Sequence, residues 1–174
     1  MPLELNGTSG VLDNSGAFIA GTAVASTSGT SIDFTSIPTW VKRVTIMLSG
    51  VSTNGSSIIQ VQIGSGSVST SSYTCNASYA GGAGALVTLT TGFALDVSGT
   101  ASSSTIRSGA LQINLVGSNT WIGSGNISSG SVGLVSLSCS GNSPALGGAL
   151  DRVRITTVNG TDTFDAGSVN ILYE

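Results

Sequence analysis

Histidine is absent from the 174 residues, which removes the commonest general base and metal ligand together. A Ser-His-Asp triad and a Cys-His pair are both excluded. Charge is scarce: Asp, Glu, Lys and Arg make up 7% of the chain, against roughly 25% in an ordinary soluble domain. The basic residues are Lys42, Arg43, Arg107, Arg152 and Arg154, and the formal net charge is −3. Nucleic-acid binding needs clustered cations that release phosphate counterions, so this composition argues against it. No apolar run approaches the roughly 18 residues of a membrane span, which argues against membrane insertion. Met1-Pro2-Leu3-Glu4-Leu5 has neither the basic nor the apolar region of a secretory signal, so synthesis in a reducing cytoplasm is expected. Cys75 and Cys139 are the only cysteines; they read either as two buried thiols or as one late-forming disulfide.

The space left by charge is filled by Gly, Ser and Thr, with 25 glycines. Helix is disfavoured by that composition, while period-two alternation recurs along the chain. Val44, Ile46 and Leu48 share one face of a strand that begins near Lys42. Ile59, Val61 and Ile63 point one way, and Gln60 and Gln62 the other. The same alternation occupies Leu111–Leu115, Val135–Cys139, Arg152–Thr156 and Val169–Tyr173. Weaker strands are expected at Ser31–Ser36, Ser72–Tyr79, Leu86–Val97 and Thr120–Ser128. One apolar and one polar face per strand is the mark of antiparallel sheets.

Short strands separated by Gly-Ser turns imply an all-β fold: a two-sheet antiparallel sandwich, jelly-roll-like, with an extended N-terminal arm. Asn54-Gly55 and Asn159-Gly160 are expected to form type I′ hairpin turns. Residues 1–29 mix turn signals with Leu3, Leu5, Val11, Leu12, Phe18 and Ile19. They read as an arm buried against a neighbour, or as a first strand packed on the domain itself. Residues 30–174 form the sandwich, with Pro38 in the turn that leads to Val41.

Chemistry is hard to find. GxxxxGK[ST] and strand-GxGxxG-helix units are missing. Asp162 and Asp165 make the single local carboxylate cluster. A catalytic pair, a calcium site completed by loop carbonyls, and turn stabilisation by Asx-type hydrogen bonds are the three readings. The first yields no nameable acid–base pair, so no enzyme activity is expected. For the aromatics, Trp121 follows a loop-like stretch, and Tyr73 and Tyr79 lie six apart on one strand face. Together they are candidates for a glycan-contact platform, with core packing as the plainer alternative.

Ser28 to Ile46, containing Ser31-Ile32-Asp33-Phe34 and Ile37-Pro38-Thr39-Trp40-Val41-Lys42-Arg43-Val44, resembles a segment recurrent in virion proteins of tailed bacteriophages and prophages, of the kind called tail or tail-fibre proteins. Leu150 to Ile171, with Asp151-Arg152-Val153-Arg154-Ile155 and Asn159-Gly160-Thr161-Asp162, is similar to the end of the same domain type. Leu3-Glu4-Leu5-Asn6-Gly7 looks like the start of phage fibre proteins. The resemblance spans most of residues 28–174 and carries no catalytic residue with it. It implies a virion structural protein assembled in the bacterial cytoplasm, symmetric and often homotrimeric, in contact with other virion proteins. A tail-fibre or tail-tip module for host attachment, touching surface glycan, is the first expectation. A capsid decoration (cement or head-fibre) protein is the second, favoured by the short chain.

Overall fold

The computed structural model describes residues 18–79, 85–130 and 135–174, together with the backbone of residues 5–6 and 10–11. The strands are β1 (Leu5–Asn6), β2 (Gly10–Val11), β3 (Ile19–Ala20), β4 (Val24–Ala25), β5 (Ser31–Thr35), β6 (Arg43–Thr53), β7 (Ile59–Ser65) and β8 (Ser67–Val68). They continue with β9 (Thr74–Tyr79), β10 (Ala85–Leu89), β11 (Phe93–Ala94), β12 (Ile106–Gly117), β13 (Thr120–Gly130), β14 (Val135–Asn142), β15 (Arg152–Thr157) and β16 (Phe164–Tyr173). The nine-stranded sheet runs β10-β9-β14-β13-β12-β6-β16-β3, with β4 also paired to β16. The five-stranded sheet runs β11-β7-β15-β5, with β8 on β7. All pairings are antiparallel, giving the two-sheet sandwich that the alternation predicts.

Its core is the set of inward positions. Val44, Ile46 and Leu48 of β6 and Leu111 and Ile113 of β12 belong to the same buried cluster as Ile59, Val61 and Ile63 of β7 and Val153 and Ile155 of β15. Each such side chain contributes about 1.5–3 kcal/mol when fully withdrawn from water. Gly123 faces inward on β13, where a Cβ would lie 2.8 Å from the Phe93 ring. That missing side chain is what lets Phe93 seat between the sheets.

Two expectations are corrected. The type I′ turn lies at Ser118–Asn119, where both residues have positive φ (48° and 57°) and join β12 to its partner β13. At Asn54-Gly55 neither φ is positive, and at Asn159-Gly160 only Gly160 is. The reason is topological: β6–β7 and β15–β16 each cross from one sheet to the other, so no hairpin has to close there. Asn159 instead turns its own loop, its Oδ1 accepting from the N–H groups of Thr161 and Asp162 at 3.0 and 3.2 Å. The Leu86–Val97 strand is likewise split, into β10 in the large sheet and β11 in the small one. Pro38 does sit in the turn before Val41, whose N–H reaches the Pro38 carbonyl at 3.1 Å.

Within the segment expected as an arm, β3 and β4 extend the large sheet by pairing with β16 of the same chain. Ser26 is buried there and donates to the Ala166 carbonyl at 2.7 Å. The arm's apolar positions at Leu3 and Leu12 lie outside the described residues.

Candidate functional site

The three aromatic candidates do not make a surface platform. Trp121 is the second residue of β13, opposite Leu115, and is 1% exposed; the loop ends one residue before β13, so alternation turns its ring inward. Tyr73 is 0% exposed and packs edge-on against Phe93, ring centroids 5.4 Å apart. Its hydroxyl accepts from Ile63 N at 2.9 Å and lies 3.1 Å from the Ser69 carbonyl that it donates to. Burial pushes the Tyr73 pKa up to about 12, against the lowering effect of the Ile63 hydrogen bond. Tyr79 is half-buried, on the same inward face as Cys75 and Ala77. The expected shared face of Tyr73 and Tyr79 is therefore present, but it is a core face.

Asp162 is a loop staple. Its Oδ2 accepts from Ser57 N at 2.9 Å, and its Oδ1 from Asn159 Nδ2 at 2.6 Å. Asn54 Oδ1 accepts from Thr163 N at 2.9 Å, so the two sheet-crossing loops are tied to each other. Asp165 instead accepts from the Ser52 hydroxyl. Carboxylate oxygens that face N–H and O–H donors are turned away from a calcium ion's needs. Among the described residues no group of three or more Cys, Asp or Glu side chains converges as metal ligands.

Cys75 and Cys139 are both free and buried. Cys139 is opposite Ala77 and Cys75 opposite Gly141, so the two are diagonal neighbours, a spacing longer than most disulfides span. Burial first, then the neighbouring Cys75, pushes the Cys139 thiol up to about 12. Burial also raises Cys75, partly offset by a hydrogen bond from Ala94 N. Neither is an activated nucleophile, since thiolate is the reactive form.

The outer face of the small sheet is different. Gln60 and Gln62 of β7 stand beside Thr156 and Arg154 of β15, yet they are only 2% and 6% exposed. The Thr91-Gly92 segment lies across them. Gln62 Nε2 donates to the Thr91 carbonyl at 3.0 Å, and Thr91 Oγ1 donates to Gln60 Oε1 at 2.7 Å. A Cβ on Gly92 would come within 2.7 Å of the Val61 carbonyl and 2.8 Å of Gln60 Oε1, so glycine is required for this close approach. Across the sheet, Arg154 grips Asp33 with two hydrogen bonds, Nε to Oδ1 at 2.7 Å and Nη2 to Oδ2 at 3.1 Å. The Asp33 carboxylate raises the Arg154 pKa. Thr156 Oγ1 donates to the Thr30 carbonyl at 2.8 Å. Gln60, Gln62, Thr91, Arg154 and Thr156 line a concavity of ≈ 340 Å³, reached also by Thr70 and Val158.

The outer face of the large sheet carries repetition instead. Thr88, Asn76, Ser140, Ser124, Gln112 and Thr45 form one cross-strand row, and Leu86, Ser78, Ser138, Asn126, Ala110 and Met47 the next. Neighbouring rungs bond, Thr88 to Asn76 at 2.8 Å and Ser138 to Asn126 at 2.9 Å. No charged residue occurs between positions 44 and 95 or between 108 and 150, so β9, β10, β13 and β14 have none. Asp96 and Arg107 lie beneath this region, both buried and paired to each other. A shallow groove of ≈ 530 Å³ crosses the face between Thr45, Gln112, Ser124, Asn126 and Ser138.

No family model, curated protein or solved structure matches this chain. The functional features that the residue patterns alone did not single out are these two faces. Their signals were the two glutamines alternating with Ile and Val in β7, and the long charge-free intervals.

Proposed function

We propose that the protein is a non-enzymatic structural component of a bacteriophage virion, a tail-fibre or tail-tip module that contributes to host-surface adhesion. The observation that carries this reading is the hydroxyl- and amide-covered, charge-free half of the large sheet. Copies held side by side in a symmetric assembly need surfaces that meet without desolvating charge, because burying an ion pair seldom recovers its hydration energy. The row chemistry of β9, β10, β13 and β14 supplies such a surface. The edge of β10 away from β9 pairs with no strand among the described residues. Leu86 on this strand is 70% exposed. A strand edge with no charge on it is a template for joining another chain, and a homotrimer or contact with other virion proteins uses it. The resemblance of residues 28–46 and 150–171 to tail proteins supports the phage assignment.

A capsid decoration role is the second reading, favoured by the same edge and face, which serve a shell lattice equally well. Immunogold electron microscopy of intact particles separates the two. Label at the tail supports attachment, label over the shell supports decoration, and no label on any purified particle overturns both. Copy number from a stained gel gives an independent check: a few copies per particle fit a tail, hundreds fit a shell.

A further inference from the structure

We propose that the concavity on the outer face of the small sheet, floored by Gln60 and Gln62 and flanked by Arg154, binds one neutral sugar residue of a surface glycan. This deepens the attachment reading and rests on it for biological purpose, although the binding chemistry stands on the pocket alone.

The pocket is built rather than incidental. A buried amide is stable only when its polar atoms meet a partner or solvent, and here one amide oxygen is left to solvent. Gln62 spends Nε2 on the Thr91 carbonyl, while its Oε1 accepts no hydrogen bond among the described residues. That oxygen belongs to a side chain 6% exposed that lines the cavity. Gln60 is similarly held, its Oε1 by Thr91 and its Nε2 only by a long 3.5 Å contact to the Thr157 carbonyl. Both amides sit on a sheet strand under a glycine-dependent close approach, so their positions are fixed before any ligand arrives. Such preorganisation reduces the entropy cost of binding.

The lining selects the ligand class. Its groups are amides and hydroxyls, which act as donors and acceptors without net charge. Arg154 is the exception, and its charge is already matched by the two-point grip on Asp33. A bare anion would have to compete with Asp33, and a cation would meet the guanidinium. Val158 offers an apolar patch at the rim, suited to the C–H face of a pyranose. The volume of ≈ 340 Å³ lies near the lower end of the range for small-ligand sites, about 300–1,000 Å³, which fits a single sugar ring. With no aromatic ring among the described residues that line the pocket, each contact is weak. Adhesion would then come from several copies acting together.

The test uses the full chain and a panel of neutral monosaccharides (glucose, galactose, mannose, rhamnose, N-acetylglucosamine and N-acetylgalactosamine), with glucuronic acid as the charged comparison. Saturation-transfer NMR and calorimetry should find at least one neutral member binding with Kd of about 1–10 mM. Gln62→Ala should weaken it at least about tenfold. Asn126→Ala, on the opposite sheet, should leave it unchanged. Should Gln62→Ala fail to fold, Thr70→Arg, an exposed change at the rim, should block binding in its place. The proposal is overturned if no neutral sugar binds, if glucuronic acid alone binds, or if affinity survives both pocket variants. Sugar binding by a protein found on the capsid shell would remove the attachment reading and keep the pocket; tail location without sugar binding would do the reverse.

Discussion

The two outer faces of this sandwich are made from the same backbone geometry and differ in how their side chains are used. On the large sheet, Ser, Thr and Asn repeat in rows and bond to their nearest neighbours, as in Thr88–Asn76 and Ser138–Asn126. On the small sheet Arg154 bonds its strand partner Asp33 in the same way, but Gln60 and Gln62 bond out of the sheet to the overlying Thr91 segment. Asp151 adds to this, accepting from Gly66 N at 2.9 Å and from Arg152 Nε at 2.7 Å. Repetition yields a broad surface on which no position differs much from the next, which suits contact between copies. Bonding out of the sheet to an overlying segment yields a fixed concavity, which suits a small ligand. The contrast also shows where ion pairs are placed: Arg43–Glu174, Arg152–Asp151 and Arg154–Asp33 are solvent-accessible, whereas Asp96–Arg107 beneath the charge-free half is buried.

The largest effect should come from the buried pair under the charge-free half. Asp96 accepts from Arg107 Nε at 2.6 Å and from Val97 N at 2.8 Å, and Arg107 Nη1 donates to the Thr105 carbonyl at 3.0 Å. Arg107→Ala leaves Asp96 without its counterion and should cost about 3–5 kcal/mol by urea denaturation. A cost below about 1 kcal/mol would mean that water reaches the pair, and that the large sheet is less sealed than described.

Next comes the Tyr73 hydroxyl, which joins β7 to the Ser69–Tyr73 connection. Tyr73→Phe leaves Ile63 N without its partner and should cost about 1–3 kcal/mol. The same residue sets an alkaline limit. Its folded pKa is raised, so its contribution is complete below the unfolded value near 10 and declines as pH rises through about 12. Cys139 acts in the same direction from its ordinary value of 9.0. Stability should hold between pH 6 and 8, where no histidine titrates, and fall above pH 9. Tyr73→Phe should flatten part of that fall, because one of the protons retained only in the folded state is gone.

The faces themselves should be tolerant. Arg154→Ala removes an exposed ion pair and should cost at most about 1 kcal/mol. Ser138→Lys on the large sheet should change stability by less than about 0.5 kcal/mol but suppress self-association, read by analytical ultracentrifugation. Equal association of Ser138→Lys and the unaltered protein would remove the packing role from that face.

Alternation carried most of the fold because each strand has one face against the core, and residues such as Val44, Ile46, Val61 and Ile155 report that contact directly. Long-range topology was not legible: Asn54-Gly55 looks like a hairpin turn until its strands are seen in different sheets. Trp121 looked exposed because a loop precedes it, and only the register opposite Leu115 turns it inward. The candidate pocket was half visible. Gln60 and Gln62 stood out as polar in an apolar strand, but their burial depends on Thr91 and Gly92, some thirty residues downstream.

The division of labour between the two faces is tested most directly by NMR of the side-chain amides during a titration with whichever neutral sugar binds. The Gln60 and Gln62 NH2 signals should move with saturation while those of Asn76, Gln112 and Asn126 stay in place. Movement on the large sheet with the Gln60 and Gln62 signals unchanged would contradict the account.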